Sequence, residues 1–579
     1  MAEIGAARLR NHLAAMLGCG LVGALLAVAP HLAALASTGR LDYVGDGDDA
    51  AYLAVARAPY YGEPGLRDPF SGRWEGAPSY YPWMLFVPLA KLTRWLGLPL
   101  PMVALVWRVV GGFGLGSSLA WMFTRVLHDR STAWAVGCTL VCLADAGFVE
   151  GRPIWRTLSL VRHLLDGSTP MAKPDALPQY RVVSPLLNLP PLVVLVGAVS
   201  GRRVIVWLGI AALGLCVLTS FYMWTAAAMA LGGLVAAALV DAIRSGGPSK
   251  WVRFRSLGIV LAGGLIVGAP QTIHNARTFA DPAYRPILER SKVATLAPGD
   301  PARGRNLGNR WLLAKLAIGA IGIVGRRAWG ASPAWGVALS GYLLANSALL
   351  TGVDFENSLW VYVYSPMSEV VLLAIVARCL GGDRAARWLW ALPVALLTIA
   401  AIWRPFEAAH AAESTRNSRI LGELQPLLAD LARLDDSGSL VGPPEAKLAL
   451  IYTRSAILYQ YQYSWNMSLI SDQTVHERHA LSGWLRGQDR STYLDDAARD
   501  RNVFYPRPEH EPAEVARRRV AIFDALGRGE RPDLIARFRP RWLLARDGDP
   551  PPARGGPWRL LRASAAWSLW HRSGAGLGG

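Results

Sequence analysis

Long apolar stretches recur along this chain, and they restrict its fold more than any other feature. Predominantly apolar runs lie near residues 13–36, 102–124, 132–149, 183–199, 204–220, 221–240, 257–273, 311–325, 334–351, 358–378 and 388–404. An α-helix rises about 1.5 Å per residue, so about 20 apolar residues cross the hydrocarbon of a bilayer. In that medium every backbone amide must find its partner within the segment, which makes helices the spanning element for runs of this length. The fold class that follows is mainly α: a polytopic transmembrane helix bundle of about 11 spans.

Composition agrees, with 52% hydrophobic and 18% charged residues in a chain of 579. The formal net charge of +18 raises the question of nucleic acid. Membrane topology accounts for much of it, because the basic residues gather in loops: Arg125/Arg130, Arg202/Arg203, Arg244/Lys250/Arg253/Arg255, Arg326/Arg327 and Arg378/Arg384/Arg387. No nucleic-acid motif accompanies them, so no nucleic-acid partner is expected. The five cysteines (Cys19, Cys138, Cys142, Cys216, Cys379) lie in or beside apolar stretches, which argues against a disulfide framework, and Cys138 and Cys142, on one helix face, read as buried small hydrophobes.

Orientation follows from charge. Arg8 and Arg10 precede the first span, which places the amino terminus in the cytoplasm and makes that span a retained signal anchor. If Tyr80–Leu98 does not cross, every Arg-rich loop above falls on the cytoplasmic side. The segment therefore reads as an interfacial helix, with Tyr80, Tyr81 and Trp83 at one end, Lys91 and Arg94 interrupting it, and Pro99 closing it. Long outer segments then fall at 37–79, 150–182 and 274–310, which makes the outer face the working surface. Residues 1–404 form the membrane domain.

After Arg404 the character changes to charged amphipathic stretches and short β-like runs, Leu448–Tyr452 and Arg541–Ala545. Val515–Leu526 reads as a helix with Arg517, Arg518 and Arg519 on its polar side. Residues 405–579 are thus expected to form a C-terminal extracytoplasmic α/β domain.

The first outer loop carries the acidic cluster Asp46-Gly47-Asp48-Asp49. Gly45 and Gly47 permit a tight turn, and Asp49 is placed to open the helix that follows. Asp46 and Asp48, two apart, reach the same side of an extended segment. One carboxylate there can take a proton from an acceptor hydroxyl while the pair holds a divalent metal, Mg or Mn. A solvated turn with a helix cap is the plainer reading of the same residues. Asp68 follows in the same loop. In the second outer loop Glu150 offers another carboxylate, and Arg152 and Arg181 offer charge for a phosphate at the membrane surface; anionic lipid headgroups are the alternative partner. His274 stands at the end of a later span, with Asp354, Glu356, Arg303, Arg305 and Arg310 as lesser candidates. Few ionisable residues are read mid-span, Asp145 being the main exception, which disfavours a proton-coupled transporter.

An acidic motif in the first outer loop, an interfacial helix in that loop, many spans and a soluble C-terminal region together resemble the GT-C superfamily of integral-membrane glycosyltransferases. The residues carrying the resemblance are Asp46, Asp48, Asp49 and the helix Tyr80–Leu98. It implies transfer of a sugar from a polyprenyl-phosphate donor, with inversion, to a glycan, lipid or protein acceptor at the outer face of a bacterial-type inner membrane. It also implies that Glu150 assists Asp46. The alternatives are a lipid or polysaccharide transporter, or flippase, and a non-catalytic envelope assembly protein.

Overall fold

The computed structural model describes residues 2–42, 44, 49–66, 81–128, 130–145, 148–149, 180–201, 203–285, 287, 294–295, 298–300, 303, 307, 310–325, 329–354, 357–380, 411–433, 438–451, 456–459, 469–496, 513–549 and 551–572. Its first half is helical. The elements are α1 (Ala2–Thr38), α2 (Asp49–Tyr60), α3 (Trp83–Trp95), α4 (Val103–Val126), α5 (Thr132–Ala144), α6 (Leu189–Ser200), α7 (Val206–Thr219), α8 (Phe221–Ser245), α9 (Pro248–Ala280), α10 (Arg310–Val324), α11 (Ser332–Ala345) and α12 (Val361–Cys379). Among the described residues six helical stretches are long and apolar enough to cross a membrane: Leu9–Ala36, Leu100–Val126, Phe221–Ser245, Pro248–Ala280, Trp329–Thr351 and Ser358–Cys379. Shorter apolar helices occupy Thr132–Ala144, Leu189–Ser200 and Val206–Thr219. The run at 388–404 lies outside the described residues.

Helix α1 packs closely on α4 because small residues face each other across the crossing. A Cβ on Gly116 would sit 2.0 Å from the Cys19 carbonyl oxygen, and one on Gly112 would sit 2.5 Å from that of Gly23. Among the described residues, three of the basic loop side chains hydrogen-bond backbone carbonyls at or near helix ends. Arg125 donates to Gly197 and Arg203 at 3.3 and 2.6 Å, Arg130 to Arg378 at 2.9 Å, and Arg253 to Gly201 at 3.4 Å. Carbonyls that end a helix carry its partial negative charge, so guanidinium groups are favoured beside them. Cys138 and Cys142 are buried in the apolar core, as their sequence context implied, and Cys216 is buried there too.

One end of the bundle carries α2, α3 and the C-terminal residues. There α13 (Ala411–Arg433), α14 (Asp472–Leu485), α15 (Ala513–Gly527) and α16 (Pro532–Phe538) surround a mixed sheet. Its strands are β3 (Ser439–Val441), β4 (Ala456–Ile457), β5 (Pro540–Arg546), β6 (Trp558–Ala563) and β7 (Trp567–Arg572), in the order β4-β3-β5-β7-β6; β1 (Ala294–Thr295) and β2 (Val353–Asp354) form a separate ladder in the bundle. Strand β3 pairs in parallel with β4 and β5, and β7 runs antiparallel to both β5 and β6. Side chains alternate across a strand, so β5 serves two cores. Trp542 and Leu544 join Leu440, Leu424 and Leu428 on one face, and the same cluster takes in Ala50, Leu53, Phe86 and Trp107 of the bundle. Leu543 and Ala545 face Leu481, Phe523 and Phe538 on the other. One continuous apolar core therefore includes residues from both sides of position 405.

Two local expectations fail. Residues Pro444–Ile451 wind into a 3₁₀ helix rather than a strand, burying Leu448, Ala449, Leu450 and Ile451 together. A strand would have turned alternate members of that run away from the core. Of the three arginines of α15, Arg517 and Arg518 are exposed; Arg519 is buried and its Nε donates to His476 Nδ1 at 3.3 Å.

Candidate functional site

The candidate site is built at the α2 end of the bundle. Helix α1 stops at Gly39, whose left-handed φ of 70° lets its amide bond the Leu35 carbonyl at 2.8 Å. The chain then folds back, and the buried His31 donates from Nδ1 to the Leu41 carbonyl at 2.7 Å. Arg40 grips Asp42 through Nε and Nη2 at 2.8 and 2.5 Å, and its Nη2 also reaches Gln425 of α13 at 2.8 Å. The entry to the acidic loop is thus fixed on both sides.

Asp49 opens α2, as the sequence implied, where a carboxylate meets the positive end of the helix. Its Oδ2 accepts from Arg108 Nη2 at 3.3 Å, while Arg108 Nη1 donates to the Tyr180 carbonyl at 3.0 Å. Arg108 is only 1% exposed on the apolar helix α4. A guanidinium at such a position is costly unless it is paired, and Asp49 is its pairing carboxylate.

The next residue continues the contact. Arg181 Nη1 donates to the Tyr362 hydroxyl at 2.7 Å, in the first turn of α12. The Tyr180 hydroxyl reaches the Leu143 carbonyl of α5 at 3.4 Å. Residues 180 and 181 thereby join α4, α5 and α12, and a continuous path runs from Asp49 through Arg108, Tyr180 and Arg181 to Tyr362. Beside it, Tyr60 donates to the Leu98 carbonyl at 2.8 Å and Arg94 donates to the Tyr60 carbonyl at 3.1 Å, clamping α2 to α3. Burial and the neighbouring Tyr61 raise the Tyr60 phenol above its ordinary pKa, so it stays a donor.

Of the residues singled out in the sequence, the structure unites Asp49 and Arg181. His274 stands exposed on α9, its carbonyl accepting from Thr278 at 3.0 Å. Asp354 sits in the β1–β2 ladder opposite Ala294. Asp46, Asp48, Asp68, Glu150 and Arg152 lie outside the described residues, as do Glu356 and Arg305. Among the described residues no group of three or more His, Cys, Asp or Glu could hold a metal.

Sequence reading passed over the charged groups inside the bundle. Arg108, Lys315 and Glu369 are all buried within apolar helices, and Lys315 pairs with Glu369. The signal was available: Arg108, Lys315 and Glu369 each stand well inside the runs 102–124, 311–325 and 358–378, where a charge demands a partner. Tyr362 had no such mark, since an aromatic at a span end is ordinary.

Solved structures similar to this chain include ArnT from Cupriavidus metallidurans in the apo state, at 14% identity and a TM-score of 0.42, covering 91% of this chain and 94% of that one. The same protein bound to undecaprenyl phosphate matches at 13% identity and a TM-score of 0.44, covering 98% and 99%. The arabinofuranosyltransferase AftD from Mycobacteria matches at 13% identity and a TM-score of 0.44, over 95% of this chain and 39% of its own. No family model matches the chain, and no curated protein does.

Proposed function

We propose that this protein is an integral-membrane glycosyltransferase of GT-C type, moving a sugar from a polyprenyl-phosphate donor to a glycan, lipid or protein acceptor at the outer face. The observation that carries this reading is the path from Asp49 to Arg181. It brings the end of the acidic loop and a phosphate-binding type of side chain to one end of a helix bundle, which is where a lipid-linked phosphate would present its sugar.

In this mechanism Asp46 or Asp48 takes the proton from the acceptor hydroxyl, with Glu150 assisting. The freed oxygen bonds to the anomeric carbon from the face opposite the leaving group, and the carbon–oxygen bond to phosphate breaks. The electron pair leaves with the polyprenyl phosphate, whose charge Arg181 and Arg152 stabilise. Attack from the opposite face inverts the anomeric centre. We also assign Asp46 and Asp48 as holders of a divalent cation, Mg or Mn, which would supply further charge to the phosphate; Asp68 and His274 are held as outlying substrate contacts. The amino terminus is placed in the cytoplasm and the residues after 405 outside.

The test is sugar transfer from radiolabelled polyprenyl-phosphate donors in membranes holding wild type, Asp46→Asn, Asp48→Asn or Arg181→Ala protein at equal levels. Wild-type transfer that falls in an aspartate variant supports the reading. Equal transfer by all four proteins overturns the site, and no transfer by wild type from any donor favours a transporter.

A further inference from the structure

Lys315 on α10 and Glu369 on α12 form a buried ion pair that the reaction scheme above does not use. Their side chains are 9% and 3% exposed, so neither charge is solvated and each depends on the other. The helices meet tightly at this level. One turn beyond Lys315, a Cβ on Gly319 would lie 3.0 Å from Val371 and 2.7 Å from Trp335. Trp335 in turn donates to the Leu316 carbonyl at 3.0 Å. A turn above Glu369, Ser365 donates to the Phe148 carbonyl at 2.8 Å, tying α12 to the chain beyond α5. Two turns above Glu369 stands Tyr362, whose hydroxyl accepts from Arg181.

Pro366 leaves the Tyr362 carbonyl without its intrahelical amide, so the height and rotation that α12 takes at Glu369 are passed to Tyr362 by the remaining turns of helix together with the Ser365–Phe148 bond. Close packing at Gly319 holds the two helices together, and the ion pair adds a directional contact at the same level. An ion pair in low dielectric distinguishes one register from the next, since a shifted register separates the charges. We propose that the Lys315–Glu369 pair is a positioning element that sets Arg181 through Tyr362, so that the guanidinium meets the phosphate monoester of a polyprenyl lipid. This rests on the phosphate-binding role given to Arg181 above, but not on sugar transfer.

The experiment measures binding of a polyprenyl monophosphate to the purified full chain in nanodiscs, alongside its thermal unfolding. The proteins compared are wild type, Tyr362→Phe, Glu369→Gln, and the double variant Lys315→Met with Glu369→Leu. Tyr362→Phe leaves α12 packed and removes only the hydroxyl that Arg181 contacts. We expect Tyr362→Phe and Glu369→Gln each to weaken binding about tenfold, with the double variant stable and also weakened, since apolar packing replaces the pair but not its register. Wild-type affinity in Tyr362→Phe, or in a stable double variant, overturns the proposal, as does a wild type that binds no polyprenyl monophosphate. Weakened binding in a protein that transfers no sugar would leave the positioning role standing and remove the transferase reading. Weakened binding limited to a variant that has lost its cooperative unfolding would also overturn it.

Discussion

Arg108 of α4 and Asp49 at the start of α2 meet at 3.3 Å across a sequence separation of 59 residues. The start of α2 is thereby tied to α4 by a guanidinium that also serves the Tyr180 carbonyl. Removing the guanidinium in Arg108→Met leaves Asp49 and the Tyr180 carbonyl without it. We expect a loss of about 2–4 kcal/mol in stability, read by thermal unfolding in detergent. Arg108→Lys should not rescue it, because one ammonium cannot serve both acceptors in the geometry of a planar fork.

Gly116 faces the Cys19 carbonyl with no room for a side chain. Gly116→Leu should drive α1 off α4 and cost at least about 3 kcal/mol, seen as loss of folded protein in membranes. Gly114→Leu is the control: a Cβ there would lie 3.8 Å from Pro190, in ordinary contact. Equal accumulation of both variants would contradict the close crossing.

His479 is buried between Tyr459 and Tyr493. Burial holds its pKa well below the ordinary 6.5, with Arg519, His476 and Arg486 adding to the effect. The folded imidazole therefore stays neutral while the unfolded one takes up a proton below about pH 6.5. Stability from this site is present above that pH and falls as the pH drops below it. Melting temperatures at about pH 7.5 and about pH 5.5 should differ more in wild type than in His479→Phe.

Arg57 of α2 donates to the Leu450 carbonyl at 3.2 Å, linking the acidic loop to the residues beside the sheet. Arg57→Met keeps much of the side chain's length and removes the donor. It should cost about 1 kcal/mol and raise protease sensitivity at the junction near residue 450, measured by limited proteolysis. An unchanged digestion pattern would place the coupling in the apolar core alone.

Much of the helical layout was legible because hydrophobic period and length are local properties. The runs at 13–36, 102–124, 221–240, 257–273, 334–351 and 358–378 each lie largely within a helical stretch of spanning length. Helix α3 appears inside the segment 80–98, and β5 coincides with Arg541–Ala545. The run Leu448–Tyr452 was misread since five consecutive apolar residues carry no period, and only the surrounding core selects a 3₁₀ turn. Arg519 was misread because its partner His476 lies 43 residues away.

What the sequence determined by itself was a bundle of apolar helices, the asymmetry of its basic loops, Asp49 as a helix start and Arg181 as a basic residue at a span boundary. These follow from composition over one or two turns, which is all that local free energy sees. Only the tertiary structure decided that Asp49 and Arg181 belong to one path, with Arg108 and Tyr362 as the links, and that α2 shares a core with the C-terminal sheet. A buried charge announces that it needs a partner, but the partner is chosen by packing between helices far apart in the chain.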